Sequence, residues 1–263
     1  MTIRNPKQEG SNLWDCIPQV GPCPNNCFQC FYNRPGAFYV PIDSPSIPDP
    51  EEVGDGILRM NCGHDSNLQR DLVIETAKKY KHFFFNTSIP NFDFPGPVVL
   101  TANPKEEDSC VYPHDIDKAW EEGKFQLDNL MFVRLRVSPT NLDLIERGVK
   151  CWTEKDIPVV LTFMAYYDQE PPGTKLINHP DDPMAFVLKN DQEFKKVVYR
   201  WQKRHINSYW CPTREFKQYV LQRMKKIGGR LVTMCGTLDS NYCKDCMNCE
   251  IYYTQTIKHL QEI

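Results

Sequence analysis

Seven of the twelve cysteines in this chain fall in two tight groups, and clustered thiols are its residue pattern best suited to chemistry. The first group, Gly21-Pro-Cys23-Pro-Asn-Asn-Cys27-Phe-Gln-Cys30, has the spacing C-x3-C-x2-C in a loop rich in Pro, Gly and Asn. A loop that short can wrap one cubane. Four irons need four ligands, so three cysteines leave one iron open to another molecule. Structural zinc normally takes four protein ligands, and Cys16 would complete such a set only awkwardly. The second group, Cys235, Cys243, Cys246 and Cys249, has the spacing C-x7-C-x2-C-x2-C. Its C-x2-C-x2-C run is ferredoxin-like and suits a second 4Fe-4S cluster; the alternative is a zinc knot that ties down the C-terminal tail. If only Cys243, Cys246 and Cys249 are ligands, that cluster can contact substrate directly and Cys235 is free for another role.

These readings require reduced thiols. The segment Met1 to Trp14 contains Arg4, Pro6, Lys7 and Glu9 with no apolar run, so it does not read as a signal peptide. A cytoplasmic setting is expected, in which grouped cysteines read as metal ligands before disulfides. The isolated Cys62, Cys110, Cys151 and Cys211 read as small buried hydrophobes. Hydrophobic residues make up 41% and charged residues 25%, which places the chain among folded globular proteins. Lys plus Arg number 31 against 34 Asp plus Glu, so no cationic excess exists to neutralise a phosphate backbone. Nucleic-acid binding is disfavoured, and no 18-residue apolar run offers a membrane span.

The elements that must position the cysteines alternate along the chain. Ile57 to Asn61, His82 to Phe85, Val98 to Leu100, Phe132 to Val137, Pro158 to Ala165 and Leu231 to Met234 read as strands. In the clearest of them, Val133, Leu135 and Val137 alternate with Arg134 and Arg136, the period of a strand with one apolar face. Helices are expected between them. One is capped by Ser66 or Asn67 and carries Leu68, Leu72, Thr76 and Tyr80; a second spans His114 to Lys124; a third has Thr140 and Asp143 as a capping box ahead of Ile145, Val149 and Trp152. Asp191 is expected to cap a helix with the stripe Phe194, Val197, Val198 and Trp201, whose basic face is Lys195, Lys196, Arg200, Lys203 and Arg204. Thr213 caps another, carrying Phe216, Val220 and Met224 and stopping at Gly228 and Gly229. This order implies an α/β fold, a mostly parallel sheet with helices outside, of about six units in an open or closed barrel. Chemistry then sits at the carboxyl ends of the strands, where Cys235 also falls.

The C-x3-C-x2-C spacing, placed just after the first strand, resembles the radical S-adenosylmethionine (SAM) superfamily. The run Met60-Asn-Cys-Gly63-His-Asp65-Ser, followed by Leu68 to Tyr80 and Phe83-Phe-Phe-Asn86, is similar in order to the family's second strand, GGE-type turn, helix and third strand. Val133 to Lys155 with Pro158 to Ala165 resembles its fourth strand, helix and fifth strand. The resemblance implies a partial (β/α)6-type TIM barrel over residues 1–234 and a cysteine-rich auxiliary-cluster segment over 235–263. It implies a 4Fe-4S cluster on Cys23, Cys27 and Cys30 whose open iron binds SAM, reductive cleavage to a 5'-deoxyadenosyl radical, and hydrogen-atom abstraction from a substrate. An electron donor such as flavodoxin or ferredoxin is implied too.

Site residues carry over by position. The family's aromatic residue before the third cysteine falls on Gln29 here, with Phe28 one residue earlier as the candidate adenine contact. Gly63 and Asp65 match the turn that holds the SAM amino group. Arg136 with Ser138 is the candidate for the SAM carboxylate or ribose, since a guanidinium matches carboxylate geometry; lumen salt bridging is the equal alternative, and Asn86 stands likewise. Tyr166 and Tyr167 read as packing. The histidines offer no zinc-hydrolase spacing, and no phosphate-binding glycine turn is present. The substrate, a small molecule, peptide or nucleotide, is open, with the proline-rich loops Pro35 to Pro50 and Pro171 to Pro183 as its expected lid. The rival class is a non-catalytic iron-sulfur or zinc protein.

Overall fold

The structure is a computed structural model that describes residues 5–33, 43–102, 127–167, 169–179, 182–189, 194–203 and 208–263. Cys110, the expected helix His114 to Lys124, Asp191, Arg204, His205 and much of the loop Pro35 to Pro50 lie outside the described residues. Seven strands form one parallel sheet: β1 (Leu13–Cys16), β2 (Ile57–Met60), β3 (His82–Thr87), β4 (Val98–Ala102), β5 (Leu130–Val137), β6 (Val159–Phe163) and β11 (Val232–Met234). They lie side by side in chain order, each parallel to the next. Among the described residues β1 and β11 pair with one neighbour each, so the sheet is open.

Both faces of this sheet are covered, which is why its strands are apolar runs. On one face Leu58, Phe85, Leu100, Val133, Leu135 and Val137 belong to the large core that also holds α2 (Arg70–Ala77), α3 (Leu142–Thr153) and α4 (Arg214–Gly228). On the other, Leu13, Ile57, Phe84, Val99, Phe132 and Val160 form a second core roofed by Tyr253 of the C-terminal helix α6 (Asn248–Glu262). The helices α1 (Pro50–Val53) and α5 (Cys243–Cys246) are single turns.

Three helix expectations change. Thr213 does cap α4, accepting from Phe216 N at 3.2 Å, but α2 begins only at Arg70, behind Gln69 and without a side-chain cap. The reason is local competition: Ser66 donates to Asn61 Oδ1, and the Asn67 amide donates to Thr87 and to the carbonyls of Ile89 and Asn91. Similarly α3 starts after Asn141 rather than Thr140, because Asn141 Oδ1 accepts from Ser138 N at 2.8 Å and Asp143 is drawn to Arg223 at 2.9 Å.

The expected helix bearing Phe194 to Trp201 is not helical. Tyr199–Gln202 is strand β9 of a four-stranded antiparallel sheet with β7 (Thr174–His179), β8 (Asp182–Leu188) and β10 (Tyr209–Pro212). Adjacent Val197, Val198 and Tyr199 favour extended backbone, and the ring of Trp201 meets Trp210 at 4.8 Å across the β9–β10 pair. Lys195, Lys196, Arg200 and Lys203 are exposed as expected, on loop and strand instead of a helix face. The same sheet converts most of the expected lid loop Pro171 to Pro183 into a hairpin arm. No helix of the described residues is long and apolar enough to cross a membrane.

Candidate metal centres

The loop that follows β1 turns back on itself twice. Asn26 N donates to Cys23 O at 3.2 Å and Cys30 N to Cys27 O at 3.0 Å, with Asn26 and Gln29 at φ of 42° and 53°. Asn33 clamps its first cysteine from both sides, accepting from Cys23 N at 2.8 Å and donating to Cys23 O at 3.0 Å. Backbone N–H groups of Asn25 and Asn26 point at the Cys23 sulfur and pull its thiol toward ionisation, while burial, the larger effect, pushes it up to about 11. Such donors are what a metal-bound thiolate uses once the proton has gone. Cys23 and Tyr32 are buried together with Ile17, and Cys30 and Cys62 pack against them.

Hydrogen bonds lash this loop across the carboxyl ends of the strands. Asn25 donates to Asp65 and Ser88 beyond β2 and β3, both at 3.1 Å. On the far side Gln29 accepts from Tyr167 N at 3.1 Å, Arg136 of β5 donates to Phe28 O at 3.2 Å, and the Phe28 ring meets Tyr166 edge-on at 6.4 Å. The loop thus bridges the edge of the sheet from β2 and β3 to β5 and β6. Gly63 lies beneath it, where a Cβ would stand 2.5 Å from the Tyr32 ring, so only glycine fits.

The other residues matched to SAM contacts already have partners in the protein. Asp65 is 2% exposed, and its two oxygens accept from Asn67 N, Thr87 Oγ1, Ser88 N, Ser88 Oγ and Asn25 Nδ2. Asn86 donates to Met60 O at 2.8 Å and accepts from Arg134 at 3.4 Å. Ser138 accepts from Tyr166 OH at 2.9 Å and meets Thr140 Oγ1 at 3.0 Å. Buried polar groups must find partners, and these have found them in the protein.

The second group is a built pocket. Cys235, Cys243, Cys246 and Cys249 line one cavity with Leu13, Phe132, Val160, Asn248, Arg59 and Arg134. Cys235 follows β11 directly, its N–H donating to Leu161 O at 2.8 Å; Cys243 and Cys246 sit on α5, and Cys249 opens α6. The turn after Cys235 needs Gly236, which has φ of 74° and would otherwise strike Ser240 O. Asn248 donates to Met234 O at 2.7 Å and ties α6 to the end of β11. Cys246 lies beside the Cys235 sulfur, and that contact, with Arg134, Lys7 and Arg59 behind it, outweighs burial and holds the Cys235 thiol below the ordinary cysteine value. Cys243 is pushed up to about 11, mainly by burial. Among the described residues, no three His, Cys, Asp or Glu side chains, those of either cysteine group included, stand together as a metal ion would need.

No disulfide joins any of the described cysteines. Cys16 and Cys151 are buried, as small hydrophobes would be, whereas Cys211 is half-buried and Cys62 stands beside Cys23, Cys30 and Tyr32. Tyr166 is fully buried, in keeping with packing. Sequence reasoning missed Arg59 and Asp15. An aspartate in the apolar strand Leu13–Cys16, in register with an arginine on the next strand, was the available signal. No protein-family profile, curated protein or solved structure matches this chain.

Proposed function

We propose that this chain is a radical SAM enzyme that binds a 4Fe-4S cluster on Cys23, Cys27 and Cys30, reductively cleaves SAM and abstracts a hydrogen atom from a substrate not yet identified. One observation carries the reading: a C-x3-C-x2-C loop, leaving β1, lies across the carboxyl ends of a parallel sheet whose strands follow in chain order. Chemistry in parallel α/β folds gathers at that edge. The sheet is then an open (β/α)6-type partial barrel, with α6 on the face opposite α2, α3 and α4 and residues 235–263 as the auxiliary segment.

The cluster would supply electron transfer to the SAM sulfonium at its open iron. The chain's own residues hold and shield it. Asn33 and the N–H groups of Asn25 and Asn26 fix Cys23, and Phe28, Gly63, Asp65, Asn86, Arg136 and Ser138, each packed or hydrogen-bonded at this edge, are the proposed SAM contacts. A second 4Fe-4S cluster on Cys235, Cys243, Cys246 and Cys249 is supported by the C-x2-C-x2-C run and by the four cysteines lining one cavity; a zinc knot is the alternative. An electron donor of the flavodoxin or ferredoxin kind and a cytoplasmic setting belong to this reading.

Anaerobic reconstitution with iron and sulfide, then addition of SAM and dithionite, tests it. The reconstituted chain should release 5'-deoxyadenosine, and the Cys23/Cys27/Cys30→Ala variant should release none. An iron-loaded wild type that makes no 5'-deoxyadenosine would identify a non-catalytic iron-sulfur protein instead.

A further inference from the structure

Two guanidinium groups face the four sulfurs of the C-terminal pocket, and they are held there differently. Arg59 Nε donates to Asp15 Oδ1 at 2.7 Å, and that carboxylate, 4% exposed, also accepts from Gln8 at 2.6 Å and Asn5 at 3.0 Å. Arg59 therefore brings its own counter-charge. Arg134 brings none: its hydrogen-bond partners among the described residues are the neutral Thr101 Oγ1 at 3.2 Å and Asn86 Oδ1 at 3.4 Å, and its guanidinium lies 5.6 Å from the Phe132 ring. A half-buried guanidinium beside Leu13, Phe132 and Val160, with no carboxylate partner, favours an anion in the cavity it lines.

We infer that Arg134, with the Arg59–Asp15 pair beside it, is the counter-charge of a four-thiolate 4Fe-4S cluster in this pocket and sets that cluster's reduction potential. The inference rests on the reading of the second cysteine group as a cluster. An oxidised cubane with core charge 2+ and four thiolates is a dianion, and one-electron reduction makes it a trianion. A fixed positive charge in low dielectric favours the more negative state, so the arginines make the cluster easier to reduce. Arg134 dominates because Asp15 offsets most of the charge of Arg59. Arg134 and Arg59 act through the cluster as positioning and tuning residues.

The test uses the full-length Cys23/Cys27/Cys30→Ala chain, in which only the second site can load. After anaerobic reconstitution, iron, sulfide and zinc are counted and the midpoint potential is read by dithionite titration with electron paramagnetic resonance. The parent should hold about four irons per chain. Arg134→Gln should lower the ratio of reduced to oxidised cluster at the parent's midpoint about tenfold, which is about 59 mV for one electron. Arg134→Lys should restore it, and Arg59→Gln with Asp15→Asn should shift it less. If Arg134→Gln loads poorly, full loading by Arg134→Lys supports the charge assignment, and equal failure of both overturns it. Unchanged midpoints in both Arg134 variants overturn the inference while leaving the cluster in place. A parent that binds zinc or no metal overturns the second-cluster reading itself.

Discussion

The two cysteine groups are assembled by opposite means. Cys23, Cys27 and Cys30 belong to one loop, and the sequence between them already places them together; the rest of the molecule only pins that loop across the sheet edge through Asn25, Gln29 and Arg136. Cys235, Cys243, Cys246 and Cys249 come from a strand end and two helices, and their pocket is completed by arginines from β2 and β5. In the first arrangement Cys23 is buried and Cys27 and Cys30 are half-buried at the carboxyl edge of the sheet. The second encloses four, with positive charge to balance them. Both lie on one face of β5, where Arg134 serves the C-terminal pocket and Arg136 the loop, about 7 Å along the strand.

The sharpest way to break this contrast is to delete each group in turn. Cys23/Cys27/Cys30→Ala should abolish 5'-deoxyadenosine and cut iron from about eight to about four per chain, whereas Cys243/Cys246/Cys249→Ala should cut iron by the same amount yet keep a SAM-sensitive cluster signal. Equal loss of SAM response in both variants would merge the two sites into one. Next in size is Asp65→Ala, which strands the Thr87, Ser88 and Asn25 donors. It should cost about 3 to 5 kcal/mol in denaturant unfolding of the apoprotein, because several buried donors lose one acceptor. Gly63→Ala should cost about 1 to 3 kcal/mol, since Tyr32 must move away from the new methyl group; it should slow iron loading of the first group and leave the second unaffected.

The smallest expected effect concerns pH. Burial lowers the pKa of His64, against the pull of Asp65, so below the ordinary histidine value of about 6.5 the unfolded chain binds more protons than the folded one. Apoprotein stability should therefore fall as pH drops through that range. In His64→Gln this part of the slope should vanish, as compared by thermal melts at pH 5.5 and 7.5.

The parallel sheet was legible because its strands are runs such as Phe83-Phe-Phe and Val133-Arg-Leu-Arg-Val, whose alternation also told which way Arg134 and Arg136 face. Helix starts were less so. Ser66, Asn67 and Thr140 have the chemistry of caps, but their polar groups were claimed by neighbours distant in sequence or by the turn itself. The stripe Phe194, Val197, Val198, Trp201 has helical spacing and strand-forming residue types, and pairing with Trp210 decided between them. The cysteine groups could be read from spacing alone; the arginine walls of the second pocket could not, because Arg59 and Arg134 lie 75 positions apart and meet only through the sheet.

The most direct test of a vacant iron at the first group is the electron paramagnetic resonance spectrum of the reduced, reconstituted wild type with and without SAM. Two cubane signals are expected, one of which shifts on adding SAM and is missing from the Cys23/Cys27/Cys30→Ala variant. Two signals that both ignore SAM, or a shift that survives in that variant, would contradict the account.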